Sequence, residues 1–202
     1  MSAASLLKKA LIAIAIASLG GCSLVADKSP RLTSGQDASG ALTNGDYTQA
    51  VSDLKAGRND EALKLFNSVS KSHPELAGPY INVGLIEIKK GNLHTAETAL
   101  LHAATLEPAQ PEIYNSLGII YRRLGRFNDA ETAYLKALSC APDYANAHLN
   151  IGILYDIYLN NLSAARDHYE RYLDLNGGDN ELIKKWIIDV NQRLARTAGA
   201  AK

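Results

Sequence analysis

Apolar and small residues recur along the middle of the chain with a period of 34 residues. Proline cannot continue a helix, and glycine readily takes the positive φ with which a chain leaves one. Each period therefore predicts helical segments that a glycine interrupts and a proline ends. Four series share the period: Pro74, Pro108 and Pro142; Gly57, Gly91 and Gly125; Ala62, Ala96 and Ala130; Ala50, Gly84, Gly118 and Gly152.

A further amphipathic helix is predicted after the last period. Its apolar positions follow helical spacing and alternate with charged ones, as expected for a helix that buries one face. Residues 180–196 are predicted to form this capping helix, with Asp179 or Asn180 as its N-cap. Residues 197–202 are predicted to be a disordered tail. The apolar positions are Leu182, Ile183, Trp186, Ile187, Val190 and Leu194.

The repeating units resemble the tetratricopeptide repeat, a 34-residue helix-turn-helix module. The third unit has the most faithful motif, Tyr114-x2-Leu117-Gly118-x2-Tyr121, followed by Ala130 and Pro142. The resemblance implies an all-α superhelix of four units, at 43–76, 77–110, 111–144 and 145–179. The fourth unit carries one extra residue in its turn and lacks the closing proline.

The N-terminus resembles a bacterial lipoprotein signal. Lys8 and Lys9 precede an apolar run that is too short to span a bilayer, and Leu19-Gly20-Gly21-Cys22 resembles a lipobox. The resemblance implies removal of residues 1–21 and attachment of diacylglycerol and an N-acyl chain to Cys22. It also implies a location at the periplasmic face of the outer membrane, because Ser23 follows the cysteine where a retention signal would have Asp. The alternative is an ordinary signal peptide with an incidental cysteine.

Residues 22–42 are rich in small and polar residues and are predicted to be a flexible tether. The alternative is a first helix that packs on the domain. Equal numbers of basic and acidic residues, 21 of each, argue against a nucleic-acid binder.

Residues typical of catalysis do not form a recognisable site in the sequence. No pair among the five histidines has the i, i+4 spacing of a helical zinc site. Neither a nucleophile elbow nor a phosphate-binding glycine loop is evident. We therefore expect no enzyme activity, no metal and no cofactor apart from the lipid on Cys22. Cys140 is expected to be a half-buried free thiol.

A partner-binding strip is implied by the resemblance, on the concave face that the first helix of each unit lines. Its apolar character favours a protein partner. The open alternatives are that the C-terminal helix or a second copy covers it. The strip comprises Ile81, Asn82, Leu85, Ile88 and Lys89; Asn115, Ile119, Arg122 and Arg123; and Asn146, Leu149, Asn150, Ile153, Asp156 and Ile157.

A non-catalytic scaffold in the bacterial envelope is the function that this combination predicts. Lipoproteins of this build resemble assembly factors of type IV and Flp-type pili. Those factors help a secretin to reach the outer membrane or to assemble there. The alternative is an adaptor that recruits cell-wall hydrolases or an envelope protease. Neither a nucleic acid nor a small-molecule substrate is expected as a partner.

Overall fold

The computed structural model describes residues 38–200, with side chains over 45–199, and that span is helical without a strand. Helices pair in sequence order as α1–α2, α3–α4, α5–α6 and α7–α8, and α9 follows alone. This is the predicted all-α architecture. The helices are α1 (Ala38–Lys55), α2 (Asn59–Ser72), α3 (Ala77–Lys90), α4 (Leu93–Leu106), α5 (Pro111–Arg123), α6 (Phe127–Cys140), α7 (Ala145–Leu154), α8 (Leu162–Leu175) and α9 (Glu181–Ala200).

Two predicted boundaries differ from the observed ones. Helix α1 begins at Ala38, so the end of the predicted tether is helical. Helix α9 runs to Ala200, beyond the predicted start of a disordered tail at position 197, and no proline interrupts it. The predicted signal sequence and Cys22 lie outside the described residues.

Close packing within each repeat depends on the small residue near the middle of its first helix. An added Cβ atom at Gly84 would lie 2.6 Å from Leu100 Cγ, and one at Gly152 would lie 2.8 Å from the Tyr169 ring. At Gly118 the ring of Tyr134 occupies the same place. Glycine is thus needed at these positions because the second helix leaves no room for a methyl group.

The turns between paired helices follow the predicted glycines. Gly57, Gly91 and Gly125 have φ values of 78°, 87° and 76°, in the left-handed region that glycine adopts without strain. In each of these repeats the second helix ends shortly before Pro74, Pro108 or Pro142. These features confirm the physical interpretation of the 34-residue period.

The fourth repeat accommodates its extra residue in a π-helical turn. Residues Tyr155–Leu159 form this turn at the end of α7. Asn160 then has a φ of 53°, the conformation that glycine supplies in the other repeats. The wider turn restores the register of α8, so that Ala165 and Tyr169 are fully buried.

Helix α9 caps the array by packing against α8. Ile183, Trp186 and Val190 are buried, and the Trp186 and Tyr169 rings lie 5.6 Å apart. Asn180 is the N-cap, since its Oδ1 accepts a hydrogen bond from Ile183 N at 3.2 Å. Among the described residues, no helix combines the length and the apolar character needed to cross a membrane.

Candidate protein-binding surface

The predicted strip is accessible mainly in the second and third repeats. Apolar side chains of α3 and α5 are half-buried there, and cationic side chains are exposed beside them. Three fourth-repeat residues, Asn146, Asn150 and Ile157, are also accessible. The accessible members of α3 and α5 are Ile81, Asn82, Leu85, Ile88, Lys89, Ile119 and Arg123.

The prediction of an exposed strip fails for five residues, which are buried. Two of them, Leu149 and Ile153, pack inside the fourth repeat, with 9% and 4% of their surfaces exposed. The other three are polar, and each bonds to a neighbouring helix instead of facing a partner. The buried residues are Asn115, Arg122, Leu149, Ile153 and Asp156.

Asn82 and Asn150, two asparagines of the predicted strip, join neighbouring repeats to each other. Asn82 Nδ2 donates to Tyr47 Oη at 3.2 Å and to Gly78 O at 2.9 Å. Asn150 Nδ2 donates to Asn115 Oδ1 at 2.9 Å. Because these amides are engaged within the chain, their observed role is to fix how successive first helices stack.

The basic cluster that the sequence places together is divided among three environments. Arg122 is buried, and its Nε donates to Tyr134 Oη at 3.3 Å. Arg123 is exposed and donates through Nη1 to Ile88 O at 2.7 Å. Arg126 pairs with Glu97 and Asp129 and lies over the Tyr121 ring. A 34-residue period cannot reveal this separation, since it depends on which helix face each arginine occupies.

A buried polar cluster links the fourth repeat to the cap. The Asp156 side chain is fully buried and accepts a bond from Arg193 Nη1 at 2.6 Å. Tyr169 Oη donates to Asp156 Oδ2 at 3.1 Å. Burial, and then the Asp156 carboxylate, raise the pKa of Tyr169 well above its usual value, so its hydroxyl remains a donor.

A histidine pair that the sequence spacing did not reveal lies between α7 and α8. The Nδ1 atoms of His148 and His168 are 2.9 Å apart, and His148 Nε2 lies 2.9 Å from Pro142 O. A carbonyl oxygen only accepts, so His148 Nε2 carries a proton and its Nδ1 accepts from His168. Burial, and then the electrostatic effect of His148, lower the pKa of His168 to about 4.

Side-chain chemistry in the described part of the chain points to packing and recognition. No three His, Cys, Asp or Glu side chains within the described part converge as they would around a metal ion. Cys140 is a half-buried free thiol, as predicted. The arrangement can hold another polypeptide against the accessible apolar and cationic side chains of α3 and α5.

Family models assign the repeats directly. Three models described as tetratricopeptide repeat match residues 44–75, 77–110 and 109–176. Together these ranges extend over more than half of the chain and coincide with the four observed helical pairs. No curated protein matches the chain by sequence.

Solved structures of the same architecture resemble the fold. MamA from Desulfovibrio magneticus RS-1 has a TM-score of 0.67 at 18% identity, covering 82% of this chain and 90% of its own. The first TPR of Spaghetti (RPAP3), bound to the HSP90 peptide SRMEEVD, has a TM-score of 0.56 at 24% identity, covering 59% and 93%. Thermobaculum terrenum O-GlcNAc transferase has a TM-score of 0.64 at 20% identity, covering 69% of this chain but only 27% of the transferase.

Proteins of this fold generally act as scaffolds for protein interaction, although a few, such as the transferase, are enzymes. The periodic glycines, the stacked helical pairs and the matching models lead to the same assignment. The chain belongs to the tetratricopeptide-repeat family.

Proposed function

We propose that this chain is a non-catalytic scaffold that a lipid on Cys22 holds at the periplasmic face of the bacterial outer membrane. It binds a helical or extended segment of a partner protein along α3 and α5. The partner is a component of an envelope machine, and the pilus-secretin system is the one that the lipoprotein resemblance favours. Recruitment of a cell-wall hydrolase or an envelope protease is the alternative outcome of the tests below.

The accessible surface of α3 and α5 is the observation that carries the binding proposal. Leu85 and Ile119 occupy equivalent positions one repeat apart, and both stay half-buried when the repeats are stacked. Aliphatic side chains that remain accessible between exposed cations favour a polypeptide with apolar and acidic groups. The acidic peptide held by the Spaghetti repeat supports the same class of ligand.

Replacement of Leu85 tests the surface. We expect Leu85→Glu to abolish capture of the envelope partner, because a carboxylate would be desolvated against apolar neighbours. Partner capture is measured by site-specific cross-linking and mass spectrometry, which also separates a secretin component from a hydrolase. Leu135→Glu is the matched control, since Leu135 is 46% exposed on a second helix of the third repeat.

Two outcomes decide the surface proposal. Loss of capture in Leu85→Glu, with circular dichroism like that of Leu135→Glu, supports it. Undiminished capture by Leu85→Glu contradicts it. If Leu85→Glu unfolds, Ile119→Arg replaces it and is judged by the same two outcomes.

Replacement of Cys22 tests the anchor independently of the surface. Several acyl chains on one residue hold a protein stably, whereas a chain without them has no comparable affinity for the bilayer. We expect Cys22→Ala to move the protein from the membrane fraction to the soluble periplasmic fraction. Cys140→Ala is the control and is expected to leave the protein in the membrane. Membrane retention of Cys22→Ala would disprove the lipid anchor.

A further inference from the structure

One edge of the stacked first helices carries a row of cations. Lys55, Lys89 and Arg123 lie one repeat apart in sequence, each in the last turn of α1, α3 or α5. All three are exposed. We name these three residues the cation row. Its first member belongs to the repeat that the predicted strip left out.

An aliphatic surface borders the cation row. It is formed by side chains one residue, or one turn, before each cation, and these remain half-buried. None of them is aromatic. We name this surface the aliphatic floor, and it comprises Val51, Leu54, Leu85, Ile88 and Ile119.

Direct contact between successive first helices sets the spacing of the row. Arg123 of α5 reaches Ile88 O of α3 at 2.7 Å, and Asn82 of α3 reaches Tyr47 of α1 at 3.2 Å. Helices in such contact have axes about 8–10 Å apart. Neighbouring cations of the row are therefore separated by roughly that distance along the stack.

Arg123 of the row differs from two other cations of these repeats in the group that it binds. Lys90, beside Lys89, pairs with Asp60 at 2.7 Å, and Arg126 pairs with Glu97 at 2.8 Å. Arg123 instead donates to a carbonyl oxygen, which has no formal charge to neutralise it. The row thus presents positive charge beside an apolar surface, and an acidic apolar ligand complements both.

From this geometry we infer that the first three repeats bind an acidic amphipathic α-helix of a partner protein, with a carboxylate at every seventh residue facing the cation row. Seven residues of α-helix rise about 10.5 Å, close to the spacing of the row, and return to nearly the same face. The apolar side of this helix lies on the aliphatic floor. The inference rests on the proposed function and specifies the ligand of the same surface.

Other backbone conformations fit this surface less well. In an extended strand, residues three apart point to opposite sides, so carboxylates about 10 Å apart cannot both face the row. A polyproline helix has a suitable repeat of about 9.3 Å, but its usual docking surface is aromatic, whereas this floor is aliphatic.

The fourth repeat ends the surface. At the position equivalent to Arg123 it carries Ile157, and at the preceding position it carries Asp156, which is buried against Arg193. The binding surface therefore extends over α1, α3 and α5, and a ligand helix of about two heptads between its first and last carboxylates matches it.

Binding of designed peptides to the full chain in detergent tests the inference. The first peptide is an alanine-based helix of about 21 residues with a glutamate every seventh residue beside a leucine stripe. The second has the same composition, with the glutamates on the face opposite the leucines. We expect the first to bind at least about tenfold more tightly by fluorescence anisotropy, and added salt to reduce this difference.

Charge reversal identifies the row. Lys89→Glu and Arg123→Glu are each expected to weaken binding of the first peptide about tenfold. Lys64→Glu, at an exposed cation of α2, is the matched control and should leave binding unchanged. Circular dichroism confirms that each variant is folded.

The possible results separate this inference from the proposed function. If Leu85→Glu abolishes peptide binding but neither charge reversal changes it, the surface binds and the cation row does not select acids. If the two peptides bind equally, or if a proline-rich acidic peptide binds more tightly than both, the inference that the ligand is an acidic amphipathic helix is wrong. If Leu85→Glu leaves peptide binding intact, the proposed surface itself is wrong.

Discussion

Single atoms determine how closely the two helices of a repeat approach. Gly118 lies against the ring of Tyr134, which is completely buried and bonds to the guanidinium of Arg122. A methyl group at position 118 would displace the ring and disturb that bond. The sequence predicts the need for a small residue here, whereas the bond to Arg122 is visible only in the structure.

Gly118→Ala is expected to destabilise the protein, although alanine favours helix formation more than glycine does. Overpacking of this kind costs about 1–3 kcal/mol, which corresponds to a fall in Tm of about 2–4 °C per kcal/mol in a chain of this size. Thermal unfolding followed by circular dichroism measures the change. The control is Gly45→Ala in α1, where an added Cβ meets no atom within 4 Å. Gly45→Ala should leave Tm unchanged or raise it. A Tm that is unchanged or raised in Gly118→Ala as well would contradict the packing argument.

The His148–His168 pair makes stability depend on pH. One proton between the two Nδ1 atoms gives a hydrogen bond, but a second proton would set two N–H donors against each other. Burial, and then His148, hold the pKa of His168 at about 4, opposed by Asp167. An unfolded histidine has a pKa near 6.5, so the unfolded chain binds this proton more readily at intermediate pH.

The contribution of this pair to the stability of the protein is therefore expected to be fully present above pH 6.5 and to be lost as the pH decreases to about 4. Urea unfolding at a series of pH values measures this dependence. The comparison is with His168→Phe, in which an uncharged ring replaces the one stacked on Tyr155 at 5.7 Å. The variant should lose a large part of the pH dependence in this interval. An unchanged pH profile in His168→Phe would show that the pair is not responsible.

At the scale of the elements, periodicity predicts the helices better than it predicts the surface. The helical pairs, the glycine turns and the cap follow from residues whose conformational preferences are strong, such as Gly125 and Pro142. The accessible strip was only partly predictable, because burial of Arg122 and Asp156 depends on partners in other helices. The family pattern gives the position of a residue in its repeat but not the neighbour it meets.

The π-helical turn is a second feature that position alone does not reveal. One extra residue in the fourth repeat could lengthen the loop or widen the helix, and the sequence does not distinguish these outcomes. In the structure Asn161 N donates to Tyr155 O at 2.9 Å, whereas Arg126 N closes the preceding turn on Tyr121 O at 2.8 Å, one residue nearer in sequence. Asp156 lies within this turn and is buried, and Arg193 of the cap binds it there.

At the scale of the whole molecule, stability is transmitted between neighbouring repeats. The first helices are joined in succession by Tyr47–Asn82, Arg123–Ile88 and Asn115–Asn150 contacts, and the cap continues the series through Arg193. In such arrays each unit depends mainly on the units beside it. A substitution that destabilises the cap should therefore destabilise the fourth repeat more than the repeats that carry the proposed binding surface.

Arg193→Met tests this gradient by removing the cation that binds the buried Asp156 carboxylate. Removing one partner of a buried ion pair costs about 3–5 kcal/mol, and the 26% exposure of the Arg193 side chain places this case toward the lower end. Hydrogen exchange is expected to accelerate most in α9 and α8, less in α7, and least in α3 and α4. Arg196→Met is the control, because Arg196 is exposed and donates to Gln192 O within the same helix. Equal acceleration in every repeat of Arg193→Met would instead mean that the array unfolds as one cooperative unit, and the surface on α3 and α5 would then depend on the cap as strongly as the fourth repeat does.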